Sequence, residues 1–481
     1  MFLGIDIGTS ELKTLLLGET HQVIATAGAP LGISRPRPGH SEQNPADWWQ
    51  ATQTALAALR QAHSRDYAAV QAIGLSGQMH GAVLLDSNNA VLRPAMLWND
   101  TRASRECEEM MAELPTLAQW AGSLAMPGFT APKLRWLARH EPALFARVAK
   151  VLLPKDYVRL QLTGEHVTDM SDASGTLWLD VENRTWSEPL LKLTGLSQQH
   201  MPRLVEGSEA GGRLSIAAAR LLGLKPGIVV AGGGGDNAAS AVGMGAVEAG
   251  QGFLSLGTSG VLFVVTPRFQ PNAASATHAF CHALPGRWHQ MSVMLSAASC
   301  LAWATHLLGA SSEAELEAKA GTLSLTARAN APIFLPYLSG ERTPHNSATV
   351  RGSFHGLSHD SNAASLAYAV MEGVTFGLHD GLRALQAAGS RVGRLSLVGG
   401  GARSALWAQQ LASSLNLEIV THGASAAGGA LGAARLAWMA AGGDLKLVCV
   451  SPAIDRVFTP DASEQALLAA RYERFRAHFV M

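Results

Sequence analysis

The sequence predicts an α/β protein built from two similar domains, and three observations carry that prediction. A strand, a Gly-Thr-Ser turn and a second strand open the chain as FLGIDIGTSELKTLLLG and return half a chain later, from Phe253, as FLSLGTSGVLFVV. A unit repeated at that separation points to a duplicated domain. Strand-like runs (AIGLSG, VLLP, GIVVAGG, RLSLVGGG) alternate with long amphipathic helical patterns, the mark of α/β layering. The 481 residues also exceed what one core of ordinary size takes.

Taken in order, residues 2–7 form the first strand, Gly8-Thr9-Ser10 the turn, and LKTLLLG the second strand. Asn44-Pro45-Ala46-Asp47 supplies an N-cap, an N1 proline and an N3 acid ahead of WWQATQTALAALRQA, a helix start. The run AGGGGDNAAS, Ala231 to Ser240, places Asp236 and Asn237 after four residues without side chains. Such a run admits another segment or molecule to the main chain. The same pair also suits an ordinary capped turn. The domain boundary is expected just beyond it, giving domains 1–245 and 246–481. In the second half, residues 363–385 and 406–415 carry helical periodicity, and LVGGGARS (397–404) makes a third glycine turn, from strand to helix. The apolar run Ala424 to Gly443 contains Arg435 and five glycines. It reads as a small-residue core helix, not a membrane span.

Composition removes several function classes. Lys plus Arg equals Asp plus Glu, 37 each, so no basic excess points to nucleic acid or an anionic membrane. Charged residues are 15% against 47% hydrophobic, which suits a well-buried protein. Four scattered cysteines show no zinc-ligand spacing and fit buried, reduced thiols. Strand-like sequence begins almost at Met1, so no signal peptide is expected and the setting reads as cytoplasmic. The assembly is open, with a homodimer among the options.

The turns carry the chemistry. Successive backbone N–H groups at Gly8, Thr9 and Ser10 can form a nest for phosphate oxygens, and the hydroxyls add donors. Asp6 would repel bare phosphate, so its presence implies a Mg²⁺ ion or its water shell between them. The second turn, Gly257-Thr258-Ser259-Gly260, has Ser255 where Asp6 stood, and reads as a loop of donors alone. A helix start after glycines, as at LVGGGARS, accepts anions or an adenosine edge. Neither GGGARS nor GGGGDN meets the Rossmann pattern, and there is no Walker A sequence.

These three glycine turns, in this order, resemble the ATPase core shared by actin, the heat-shock ATPases and sugar kinases. Over essentially its whole length the chain resembles the FGGY family of carbohydrate kinases. GFTAPKLRWLARH (128–140) fits one family signature throughout. GSFHGLSHDSNAASLAYAVME (352–372) fits the other except at Ser365, where the family usually has an acid, amide or histidine. SGQMHG (76–81), LWNDTR (97–102), MPGFTAPKL (126–134), LLPKDY (152–157), SDASGT (171–176) and LPYLSGERTPH (335–345) are similar to the branch that acts on D-xylulose.

The resemblance implies two actin-like (ribonuclease H-like) domains closing over a cleft, and ATP-dependent phosphorylation of D-xylulose at its terminal hydroxyl. It implies Asp236 as catalytic base and Asn237 as the amide that orients the sugar. Met79 and His80 would line the sugar pocket. Asp6, Gly8, Thr9 and Ser10 match the first phosphate loop, Gly257 and Thr258 the second, and Gly400, Gly401 and Ala402 the adenosine turn. Lys13 stands where some relatives have an arginine near the phosphates. Trp98 reads either as core or as a wall for the sugar's C–H face. Asp100 and Arg102 read as a local ion pair or as ligands, and Glu341 and Arg342 as loop braces or ligands. Two alternatives stay open: a kinase for another ketose or polyol such as ribulose, and a non-catalytic actin-like nucleotide clamp.

Overall fold

A computed structural model of the chain describes residues 1–423 and 428–479. Two seven-stranded sheets organise it. In the first, Phe2–Ile7 pairs antiparallel with Glu11–Leu17, which pairs antiparallel with Val23–Pro30. On its other side Phe2–Ile7 runs parallel to Ala72–Gly77, which is followed by Val229–Ala231 and the short Gly234–Gly235, both parallel. In the second sheet Gly252–Leu256 pairs antiparallel with Gly260–Thr266, and that strand with Trp288–Met294. Arg394–Val398 and then Glu418–His422 continue in parallel on the far side. The central strand order is the same in both sheets, so the repeat in the sequence is a repeat in the topology. Register makes it residue-specific. Asp6 lies opposite Lys13 and beside Ser76, while Ser255 lies opposite Val261 and beside Val398. One copy holds the acid and the other does not.

Each face of the first sheet is covered for a stated reason. The helix Pro45–Ala62 starts where Asn44 accepts from the Ala46 N–H at 3.2 Å. Trp48, Ala51, Thr52, Ala55, Leu56 and Leu59 recur at helical spacing and are buried as one stripe. Each large apolar side chain among them contributes about 1.5–3 kcal/mol on burial.

The opposite face is covered from far along the chain, by the helix Gly429–Ala440. Strand glycines let its backbone lie directly on the sheet. A Cβ on Gly4 would stand 1.9 Å from Ala430 O, and one on Gly74 would stand 1.8 Å from Ala433 O. This helix also packs on Asp236–Met244, where Gly432 approaches Ala239 just as closely. Buried Arg435 donates to Val242 O and Gly243 O, satisfying the last carbonyls of that neighbouring helix. The small-residue core helix is therefore present, although residues 424–427 of the apolar run lie outside the described residues. Among the described residues no helix is long and apolar enough to cross a membrane.

The expected boundary at 245/246 falls between the helix Asp236–Met244 and the strand Gly252–Leu256. The departure at Ser365 has a local role. Its hydroxyl accepts from the Asn362 N–H at 3.0 Å, while Asn362 accepts from the N–H groups of Ala364 and Ser365. That capping box starts the long helix Ala363–Ala387. All four cysteines are buried and none forms a disulfide.

Candidate active site

The first Gly-Thr-Ser turn is held by side chains from three other segments. Gln43 donates to Thr9 O at 2.7 Å, and Gln78 donates to Gly8 O at 3.3 Å. Thr9 Oγ1 donates to Gln78 Oε1 and accepts from Trp98 Nε1 at 2.9 Å. The Gly8 N–H is used on Glu11 O. The Thr9 hydroxyl is therefore engaged by protein, and the exposed Ser10 offers the free hydroxyl. Trp98 is 44% exposed, which removes its core reading and ties it to this turn.

The glycine run brings Asp236 to the same place. Gly233 takes φ +80°, open to glycine without strain, and bends the chain between two parallel strands. Gly235 gives the closest approach: a Cβ there would stand 2.8 Å from Met79 Cγ and Sδ. Asp236 is then the first residue of its helix. Its Oδ1 accepts from the Asn237 N–H at 2.7 Å and from Asn237 Nδ2 at 3.0 Å. Oδ2 has no protein partner among the described residues. Burial, then the charge of Asp6, raises the Asp236 pKa to about 6, with the Asn237 bonds opposing. Two carboxylates from separate strand ends thus share one electrostatic site.

His80 follows Met79 in a left-handed conformation, φ +69°. Four contacts hold it there. Its Nδ1 lies 2.7 Å from Gly175 O, its ring stacks 4.2 Å from Phe129, and its carbonyl accepts from Lys133 Nζ at 2.9 Å and Thr130 Oγ1 at 3.2 Å. Nδ1 must carry the hydrogen to donate to a carbonyl, so Nε2 is left as an acceptor. Burial lowers the His80 pKa to about 3, and the ring is neutral. The same burial lowers Lys133 to about 7.

The other expected turns belong to the second sheet. Thr258 is exposed, and its turn is pinned by Ala297 N–H and Ser299 Oγ on Thr258 O. Gly400, Gly401 and Ala402 lie against the same strand end, since a Cβ on Gly401 would meet Leu256 Cδ2 at 2.4 Å. Beside Asp6 lies a cavity of about 1350 Å³, lined by Glu11, Lys13, Gly28, Gly423 and Ser451 among others. Of the residues expected to hold ATP, Lys13 alone lines it among the described residues. Lys13 is mostly exposed and pairs with Glu11 at 3.6 Å.

A metal ion fits this site on one observation. Asp6 Oδ1 is buried with no partner among the described residues, and burial raises its pKa, with Ser76 and the charge of Lys13 opposing. An orphaned carboxylate oxygen costs free energy unless something outside the chain meets it. No cluster of three or more His, Cys, Asp or Glu gathers among the described residues. An ion here would take the rest of its shell from phosphate and water.

Several residues that organise the site are not legible as such in the sequence. Arg159 is fully buried and donates to Ala231 O and Gly232 O, at the head of the glycine run. Ser171 Oγ accepts from the Gly235 N–H at 3.1 Å and donates to Asp169. Lys155 Nζ joins them, 2.6, 2.8 and 3.2 Å from the carboxylates of Asp156, Asp169 and Asp172. Burial raises the Asp172 pKa well above the usual carboxylate range, with the charge of Lys155 opposing. Asp100 and Arg102 form the local ion pair, 2.7 Å apart, with Glu42 on the same guanidinium at 2.6 Å.

The model of the FGGY carbohydrate kinase N-terminal domain matches residues 1–243, and that of the C-terminal domain matches residues 252–441. The xylulose kinase of Escherichia coli (strain K12) is 50% identical over 479 residues, 99% of this chain and 98% of that protein. The xylulose kinase of Bacillus subtilis (strain 168) is 37% identical over 441 residues, 92% and 88%. A solved xyloylose kinase from Brucella ovis is similar at a TM-score of 0.96 and 50% identity, covering 99% of this chain and 98% of that one. With a duplicated sheet whose acid sits in the first copy alone, and both family domains matched in order, the chain belongs to the FGGY family of carbohydrate kinases.

Proposed function

We propose that the protein transfers the γ-phosphoryl group of ATP to the terminal hydroxyl of D-xylulose, giving D-xylulose 5-phosphate and ADP. The observation that carries this reading is the convergence of Asp236, Asn237, Met79 and His80 through Gly235 and Gly175. Asp236 takes the proton of the attacking hydroxyl through its free Oδ2. Asn237 fixes the carboxylate and offers its amide to the sugar. His80 accepts from a sugar hydroxyl at Nε2, and Met79 limits the width of the pocket. The turns at Gly8–Ser10 and Gly257–Thr258 hold the phosphates, with Lys13 beside the first, and Gly400, Gly401 and Ala402 meet the adenosine. Phosphoryl transfer needs positioning and charge neutralisation more than covalent help. Asp6 would hold Mg²⁺, which neutralises phosphate charge.

Residues 1–245 and 246–481 act as two lobes that close on both substrates and exclude water. ATP use and four thiols outside disulfides support a cytoplasmic setting. The test is ADP release measured with D-xylulose, D-ribulose, glycerol and gluconate. D-xylulose should give the highest kcat/KM. A preference for any other of the four, or no sugar-stimulated ADP release, overturns the assignment.

A further inference from the structure

Arg342 stands on a loop fixed on both sides. The Glu341 N–H and O each bond Ser347 at 2.8 Å, and buried Glu341 accepts from Leu295 N–H at 3.0 Å. Thr343 Oγ1 accepts from Val293 N–H at 3.1 Å and donates to Ala276 O at 3.0 Å. The backbone is held, yet the half-buried guanidinium has neither a hydrogen bond nor an ion pair among the described residues. Even Glu341 leaves it alone, with Oε2 buried and unpartnered. An arginine kept this way in a partly dehydrated place is unusual unless a ligand completes it.

Its surroundings define that ligand. The bond to Ala276 sets the loop beside the strand His278–Cys281. The ring of His278 lies 5.6 Å from Phe129, which also has His80 at 4.2 Å. His80, Phe129, His278 and Arg342 thus form one wall that crosses from the first half to the second. Ser123 Oγ donates to Leu124 O, so it accepts from His278 Nδ1–H at 2.8 Å. His278 Nε2, like His80 Nε2, is then an acceptor. Burial first, and the charge of Arg342 as well, lower the pKa of both imidazoles. Arg342, next to Thr343, therefore stands on the second half's side of Phe129, with His80 on the other.

We propose that Arg342 is a specificity-determining residue that closes the sugar pocket from the C-terminal half and donates to the carbonyl end of an open-chain ketose. This rests on the functional reading above. With the terminal hydroxyl at Asp236, the far end of a 2-ketose carries C1 and the C2 carbonyl. A carbonyl oxygen can only accept, and the two imidazoles there can only accept. Arg342, which can only donate, supplies the matching chemistry. A polyol of the same skeleton loses less without it, because its C2 hydroxyl can turn its own hydrogen to His278.

The experiment compares wild type, Arg342→Met and Arg342→Lys. It reads kcat/KM for D-xylulose and the inhibition constant of xylitol, with thermal melting to verify folding. Arg342→Met should lower kcat/KM for D-xylulose at least about tenfold, the scale of one charge-assisted hydrogen bond. Binding of xylitol should weaken less than about threefold, a difference under 1 kcal/mol, and Arg342→Lys should recover part of the loss on the ketose. Equal losses on ketose and polyol, or an unchanged kcat/KM in Arg342→Met, overturn the assignment to Arg342. A misfolded Arg342→Met leaves the lysine variant to decide, since it keeps the charge and loses the fork: full wild-type selectivity in a folded Arg342→Lys overturns it too. A wild-type protein inert toward D-xylulose is a separate result and sinks the functional reading.

Discussion

Asp236, the proposed base, is under two opposing influences. Burial and the nearby Asp6 raise its pKa to about 6, while Asn237 keeps the charged form oriented. The base must be ionised to take a proton. The sign follows: kcat/KM for the sugar should fall about tenfold per pH unit below 6 and level off above it. A flat profile between pH 5 and 8, taken on both sides of the value near 6, would remove Asp236 as the base. Asp236→Asn should keep sugar affinity and lower kcat by about two to four orders of magnitude. Retention of more than about a tenth of turnover would contradict that role. His80→Ala removes a neutral acceptor fixed by Gly175, Lys133 and Thr130. It should erode a preference for D-xylulose over D-ribulose that is expected to be at least about tenfold. Unchanged selectivity in that variant would show that the imidazole reads neither epimer. At this scale the sequence was informative where a turn places a polar pair, as at Asp236 and Asn237. It was uninformative for Arg342, because a side chain's lack of partners is visible only in three dimensions.

Elements explain why the glycine run does not wander. Arg159 on Pro154–Thr163 grips two of its carbonyls, and Ser171 at the start of Met170–Ser174 holds Gly235. Removing Arg159 leaves buried carboxylates uncompensated, a cost of about 3–5 kcal/mol. Arg159→Met should therefore lower the urea midpoint far more than Arg105→Met, whose arginine is 77% exposed. Equal midpoints would mean that the network carries no stability. Strand runs, the Asn44 cap and the helical stripes were legible because each depends on neighbours within a few residues. The Arg159 network was not, since Arg159 and Ala231 are 72 positions apart and meet only after the sheet has ordered its strands. Ser365 lies between: the family pattern marked it as a departure, and the capping box gives the physical reason it is tolerated.

At the scale of the molecule, the two Gly-Thr-Ser turns belong to different sheets, and no hydrogen bond joins them among the described residues. Under the proposed closure, the lobes bring both turns to one nucleotide. Small-angle scattering should show a smaller radius of gyration with D-xylulose plus a non-hydrolysable ATP analogue than without ligands. Identical curves would contradict closure. Without sugar a slow ATP hydrolysis should remain, since the proposed base would also take a proton from a water in the sugar's place. The Gly429–Ala440 helix adds a different kind of consequence. It lies on Gly4 and Gly74 of the first sheet although some 190 residues separate it from the 245/246 junction. Residues 1–245 by themselves lack the helix that covers this face of their sheet. Produced alone, that fragment should aggregate. Produced together in one cell as two polypeptides, 1–245 and 246–481 should reassemble into an active enzyme, held by a helix that one gene half lends to the other.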